Sequence, residues 1–131
     1  MDCTLINSEE RYREEIEVAE RYRISEKEYI AAVERLYQRH GTAAYRFELL
    51  YEILAEVVPD LSREIITDLN ALLDKNYFFP DSEEFLSSFN PQQLVLITSG
   101  NQDFQWRKID AHDLTKYIKF VWVITNKALA V

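Results

Sequence analysis

Two glycines and three prolines in 131 residues leave almost nothing from which to build a linker, so the chain is one domain or part of one. One cysteine, Cys3, excludes an internal disulfide, and no Cys/His spacing suggests zinc. A long apolar run and a signal peptide are both missing, which points to a cytoplasmic protein without a membrane partner. Positive charge is also short: 15 Lys and Arg against 23 Asp and Glu give a net charge of −8 and a pI near 4.8. Without a large basic surface, nucleic acid and anionic membranes are disfavoured as partners. No repeat or low-complexity segment occurs. Core material, by contrast, is plentiful, with seven Phe, eight Tyr and two Trp.

The most informative stretch is Leu94-Val95-Leu96-Ile97-Thr98-Ser99-Gly100-Asn101. Its aliphatic run suggests a strand buried on both faces. Two hydroxyls and a glycine end the run, and Asn101 offers an N-cap for a following helix. A strand, a tight turn and a helix N-terminus make a natural anion site, with Thr98 or Ser99 adding a donor at the carboxyl end of the strand. The same residues also fit a plain buried strand whose hydroxyls satisfy the turn. After Gly100, Phe104, Lys108, Ile109, Ala111 and Leu114 predict a helix facing a sheet, and Phe120–Thr125 a second strand, which completes a βαβ unit.

From Glu9 to Asn76 the pattern is helical. Asn7 and Glu10 have capping-box spacing, and Tyr12, Ile16 and Ala19 mark one face of a first helix. Ser25 and Glu28 open a second with Ile30, Val33, Leu36 and Tyr37 inward, and Gly41 stops it. Thr42 is expected to cap a third helix, whose Phe47, Leu50, Tyr51, Leu54, Val57 and Val58 give the clearest amphipathic signal in the chain. Pro59 breaks it, Asp60 or Ser62 restarts, and Ile65, Ile66, Leu69, Leu72 and Leu73 form the fourth face. Pro80-Asp81-Ser82 opens a short helix that Asn90-Pro91 ends. Glu14, Glu15, Glu17 and Glu20 alternate with Arg11, Arg13, Arg21 and Arg23, which reads as a solvated, self-paired helix rather than a metal site. His40, beside Gly41, complements a helix C-terminus. His112 has no nucleophile near it in sequence.

At the start of the chain, Met1-Asp2-Cys3-Thr4-Leu5-Ile6-Asn7-Ser8 resembles the first motif of the haloacid dehalogenase superfamily, a buried strand ending Asp-x-Asp-x-Thr. Met1 falls on the variable position, Asp2 on the second aspartate and Thr4 on the threonine, while the first aspartate would lie before Met1. Paired with Leu94–Gly100 and a helical block between them, the resemblance implies an α/β fold. Residues 1–8 and 79–131 would form a partial Rossmann-like core, a parallel βαβ unit, and residues 9–78 a helical cap bundle. It implies Mg²⁺-dependent hydrolysis of a small phosphorylated metabolite through an aspartyl-phosphate. Asp2 would be the general acid/base and Thr98 the second-motif hydroxyl, with Thr4, Ser99 and Gly100 also at the phosphate. Lys127 is the candidate for the family's lysine. Only the Asp2 region could contribute to the metal, since the later acidic motif has no counterpart. Residues 1–131 are therefore expected to be an incomplete, inactive family domain, binding no Mg²⁺ tightly and prone to self-association through an unpaired strand edge. The alternative is a catalytically silent helical interaction module on the same scaffold.

Overall fold

The computed structural model describes residues 5–124. Helix α1 (Ser8–Arg21) starts where Asn7 Oδ1 accepts the Glu10 N–H at 3.1 Å. Helix α2 (Glu26–His40) opens on a complete capping box: Ser25 Oγ accepts from the Glu28 N–H, and the Glu28 carboxylate accepts from the Ser25 N–H. The Ser25 backbone N–H, followed by its side chain, holds the Glu28 carboxyl below the usual carboxylate range. Gly41 ends the helix at φ +85°, a conformation that glycine adopts without steric cost. Helices α3 (Phe47–Val57) and α4 (Glu64–Leu72) complete a four-helix block, with the Ser62 hydroxyl accepting the Glu64 N–H.

Leu50, Leu54, Ile65, Leu69 and Leu72 are buried, as their spacing predicts. Three expectations need correction. Thr42 caps no α-helix: Thr42–Ala44 form a 3₁₀ turn, and α3 begins only at Phe47, without a side-chain cap. That delay lets Tyr45 and Phe47 both pack on Phe104. The inward face of α2 is Tyr29, Ala32, Val33 and Leu36, with Ile30 half-buried and Tyr37 exposed. The charged first helix is not wholly solvated either, because Arg11 and Glu15 are buried.

The second half of the chain is α5 (Ser82–Ser87), β1 (Val95–Ser99), α6 (Gln102–Ala111), α7 (Leu114–Tyr117) and β2 (Phe120–Ile124). The strands pair in parallel, with Leu96 opposite Val121 and Thr98 opposite Val123. The two helices form the crossover that parallel neighbours require. The sheet is not buried on both faces. Leu96 and Thr98 are covered, whereas Val95 is 59% exposed, Ile97 41% and Trp122 56%. Among the described residues helices cover one face only, and the two-residue period of a strand sends alternate side chains to the other.

Two hydrophobic clusters result. One fills the helical block, from Ile16 to Leu73. The other joins Ile6, Tyr77, Leu86, Leu96, Ile109, Leu114 and Ile118 around the sheet. Phe104 belongs to the first cluster, although α6 carries Ile109 into the second. His112 has a structural place beside the second cluster, against Tyr77 and Phe78. Its Nε2 accepts the Tyr77 N–H at 2.8 Å and its Nδ1 lies 2.6 Å from the Lys108 carbonyl, which requires the neutral tautomer protonated at Nδ1.

Candidate functional site

The turn after β1 brings Thr98, Ser99 and Gly100 together at the carboxyl end of the strand. The Thr98 side chain is buried, and its hydroxyl donates to Gln105 Oε1 at 3.2 Å. Gly100 sits at φ +147°, and its N–H donates to the Ile124 carbonyl at 2.9 Å. A Cβ on Gly100 would stand 2.6 Å from Gln105 Nε2, so glycine is required here both by conformation and by close approach. Asn101 Oδ1 caps α6 through the Phe104 N–H at 3.1 Å, and the Gln102 amide closes the end of β2 on the Val123 carbonyl at 2.6 Å. First-turn N–H groups such as those of Gln102 and Asp103 have no intrahelical carbonyl to bond, as at any helix start. Asp2, Thr4 and Lys127, with Cys3, lie outside the described residues.

Beside this turn is a buried polar cluster that sequence reasoning missed. Glu15 is fully buried and accepts from Arg11 Nε at 3.2 Å, from the Tyr29 hydroxyl at 2.6 Å and from the Tyr45 hydroxyl. Burial first, and then the nearby carboxylate, push the Tyr45 hydroxyl well above its ordinary value; for Tyr29, burial leads and both Tyr45 and Glu15 add to the rise. The Arg11 guanidinium and the Lys108 ammonium both lie against the Phe104 ring, 5.6 and 5.5 Å from its centroid, and Lys108 is only 2% exposed. The i, i+4 spacing of Arg11 and Glu15 is visible in the sequence. Their burial is not, because it depends on tyrosines from two other segments.

A cleft of about 270 Å³ separates the helical block from the N-terminal end of α6. Arg46, Asn70 and Leu73 face it from one side, Asn101, Asp103 and Phe104 from the other. Arg107 spans the cleft's edge, donating to Asn70 Oδ1 and the Asn70 carbonyl at 3.0 Å each and to Asp74 at 2.9 Å. The Arg46 side chain is exposed and makes no hydrogen bond or ion pair among the described residues, while its backbone carbonyl accepts the Leu50 N–H at 3.1 Å. The same residues bring together no group of three His, Cys, Asp or Glu able to hold a metal ion, so they do not by themselves fit Mg²⁺. None of their helices is long and apolar enough to cross a membrane.

No family model and no curated protein matches the chain by sequence. Its shape matches the crystal structure of a haloacid dehalogenase-like family hydrolase from Xanthomonas campestris, with a TM-score of 0.64 over 98% of this chain at 18% identity. The fold is haloacid dehalogenase-like. It combines a parallel sheet with a helical cap, as the resemblance of Met1–Ser8, paired with Leu94–Gly100 and the helical block between them, implied. The chain spans 62% of the length of the hydrolase it matches. Within the haloacid dehalogenase-like fold described here, the cleft lies between the cap helices and the β1–α6 turn.

Proposed function

We propose that the chain supplies the cap and the Thr98 segment of a Mg²⁺-dependent phosphohydrolase that acts on a small phosphorylated metabolite through an aspartyl-phosphate. The observation that carries this reading is the position of Thr98, Ser99 and Gly100 at the carboxyl end of a parallel strand, next to a cleft bounded by cap helices. In this reading a phosphoryl oxygen takes the place of Gln105 Oε1 as acceptor of the Thr98 hydroxyl proton, and the first-turn N–H groups of α6 complete its surroundings. Asp2 acts as general acid/base. Any Mg²⁺ belongs to the Asp2 side, outside the described residues, where it would neutralise phosphoryl charge.

The test is a titration of the chain with inorganic phosphate, followed by amide NMR shifts. Shifts concentrated at Ser99–Asp103 in the native chain and absent from Thr98→Val are expected, and their absence from the native chain overturns the reading. Any aryl-phosphate turnover with Mg²⁺ is expected to be lost in Asp2→Asn. Turnover that survives Asp2→Asn refutes the mechanism. A second reading, a catalytically silent helical interaction module, is favoured by one observation: the Thr98 hydroxyl and the Gly100 N–H are both already bonded within the fold. It predicts no phosphate-induced shift at all.

A further inference from the structure

Arg46 immediately precedes α3 in an extended backbone conformation and stands at the cleft opposite Asn101 and Phe104. Its neighbours there are accounted for. The Glu48 carboxylate accepts from the Asn70 amide at 3.3 Å, Arg107 is held by Asn70 and Asp74, and Asp103 sits in the first turn of α6, where the helix dipole stabilises a carboxylate. The Arg46 guanidinium alone among the cations lining the cleft has no counterpart within the described residues. Two arginines and two carboxylates line the cleft, so it is locally balanced in a chain whose net charge is −8. An incoming anion meets less repulsion there than over the protein as a whole. The volume, about 270 Å³, corresponds to roughly nine waters at ~30 Å³ each, enough for a phosphoryl group and a short chain.

We propose that Arg46 reads a second anionic group, a carboxylate or a second phosphate, on a small phosphomonoester whose phosphoryl group lies at the Thr98–Asn101 turn. This assignment rests on the phosphate reading above. A guanidinium suits the task because its planar fork of donors matches either oxyanion with two parallel hydrogen bonds. Arg46 is then a residue of specificity and not of catalysis. It selects doubly anionic monoesters over neutral alkyl phosphates.

Three phosphomonoesters with the same number of carbons separate the possibilities: propyl phosphate, 2-carboxyethyl phosphate and 1,3-propanediol bisphosphate. Each is titrated into the full chain and into Arg46→Gln, with affinities read from amide shifts at Asn101–Phe104 and at Arg46–Glu48. The native chain should bind at least one of the two doubly anionic ligands about five- to tenfold more tightly than propyl phosphate, the scale of one charge-assisted contact at a partly solvated site. Whichever binds more tightly identifies the second group as carboxylate or phosphate. Arg46→Gln should erase that preference while propyl phosphate affinity stays unchanged, and Arg46→Lys should restore part of it. Because the native side chain is exposed, Arg46→Gln is expected to keep the native circular dichroism spectrum. Equal affinities in the native chain, or a preference that survives Arg46→Gln, overturn the Arg46 assignment and leave the phosphate site standing. Failure of all three ligands to bind, propyl phosphate included, overturns both.

Discussion

At the scale of single residues, Thr98, Gln105 and Gly100 act as one unit. The Thr98 hydroxyl bonds the Gln105 carbonyl oxygen, and the Gln105 amide lies where a Gly100 Cβ would stand. Gly100→Ala therefore meets two penalties, a strained φ and a contact of 2.6 Å, and should destabilise the fold by about 1–3 kcal/mol in urea denaturation. In a Gln105→Ala background the contact disappears but the dihedral strain remains, so the same substitution should cost less. An unchanged cost would show that the close approach contributes nothing. Thr98, Ser99 and Gly100 were legible because strand, turn and cap signals are local in sequence. Gln105 was not, since its role arises only once the first turns of α6 fold back against β1. Arg11 and Glu15 teach the same lesson from the other direction: an i, i+4 charge pair looks identical in sequence whether it faces water or two tyrosine hydroxyls.

Among the elements, α3 and α4 follow their amphipathic spacing closely, and their energetics should follow burial. Leu54 is 1% exposed, so Leu54→Ala should cost about 2–5 kcal/mol. Val57, on the same sequence pattern but 51% exposed in the last turn of α3, should lose less than about 0.5 kcal/mol on replacement by Ala. Equal effects at the two positions would show the buried face to be misplaced. The strands obeyed their pattern less well, because a continuous aliphatic run does not reveal how many layers cover the sheet. The contacts that α1 makes with Tyr29 and Tyr45 also carry a pH dependence. Burial, followed by Glu15, pushes Tyr12 up to about 12, while Tyr29 and Tyr45 are raised well above the ordinary tyrosine value. In the unfolded chain these hydroxyls titrate near ~10. A raised folded value means that the native state holds its protons more tightly, so this stability is fully present below pH ~10 and is lost as pH rises beyond it. The urea midpoint should hold steady from about pH 8 to 10 and then fall. Absorbance at about 295 nm should show Tyr29 and Tyr45 ionising together with unfolding and not before it. A midpoint unchanged above pH ~11 would contradict the network.

For the whole molecule, the question is what holds the helical block to the sheet. The sequence separated a helical stretch from a strand–helix–strand stretch by periodicity alone, yet no pattern marked the residue that joins them. Phe104 does so. It extends from the first turn of α6, is 4% exposed, and packs edge-on to Tyr45 and Phe47 at ring distances of 5.5 and 5.4 Å. Arg107, one turn later, adds hydrogen bonds to Asn70 and an exposed ion pair to Asp74. An exposed pair of that kind contributes little, so most of the coupling rests on the aromatic wedge. Phe104→Ala should thus cost about 3–5 kcal/mol and should not weaken all regions equally. With the wedge gone, the sheet and α6 can open while the bundle core of Leu50, Leu54, Ile65 and Leu69 stays packed. Native-state hydrogen exchange would register this as a larger loss of protection in β1, α6 and β2 than in α2 and α3. Equal loss across both regions, in a single cooperative step, would mean that the two clusters are joined by more than Phe104. The cleft that holds Arg46 would then be a fixed feature of one continuous core and not a seam between two.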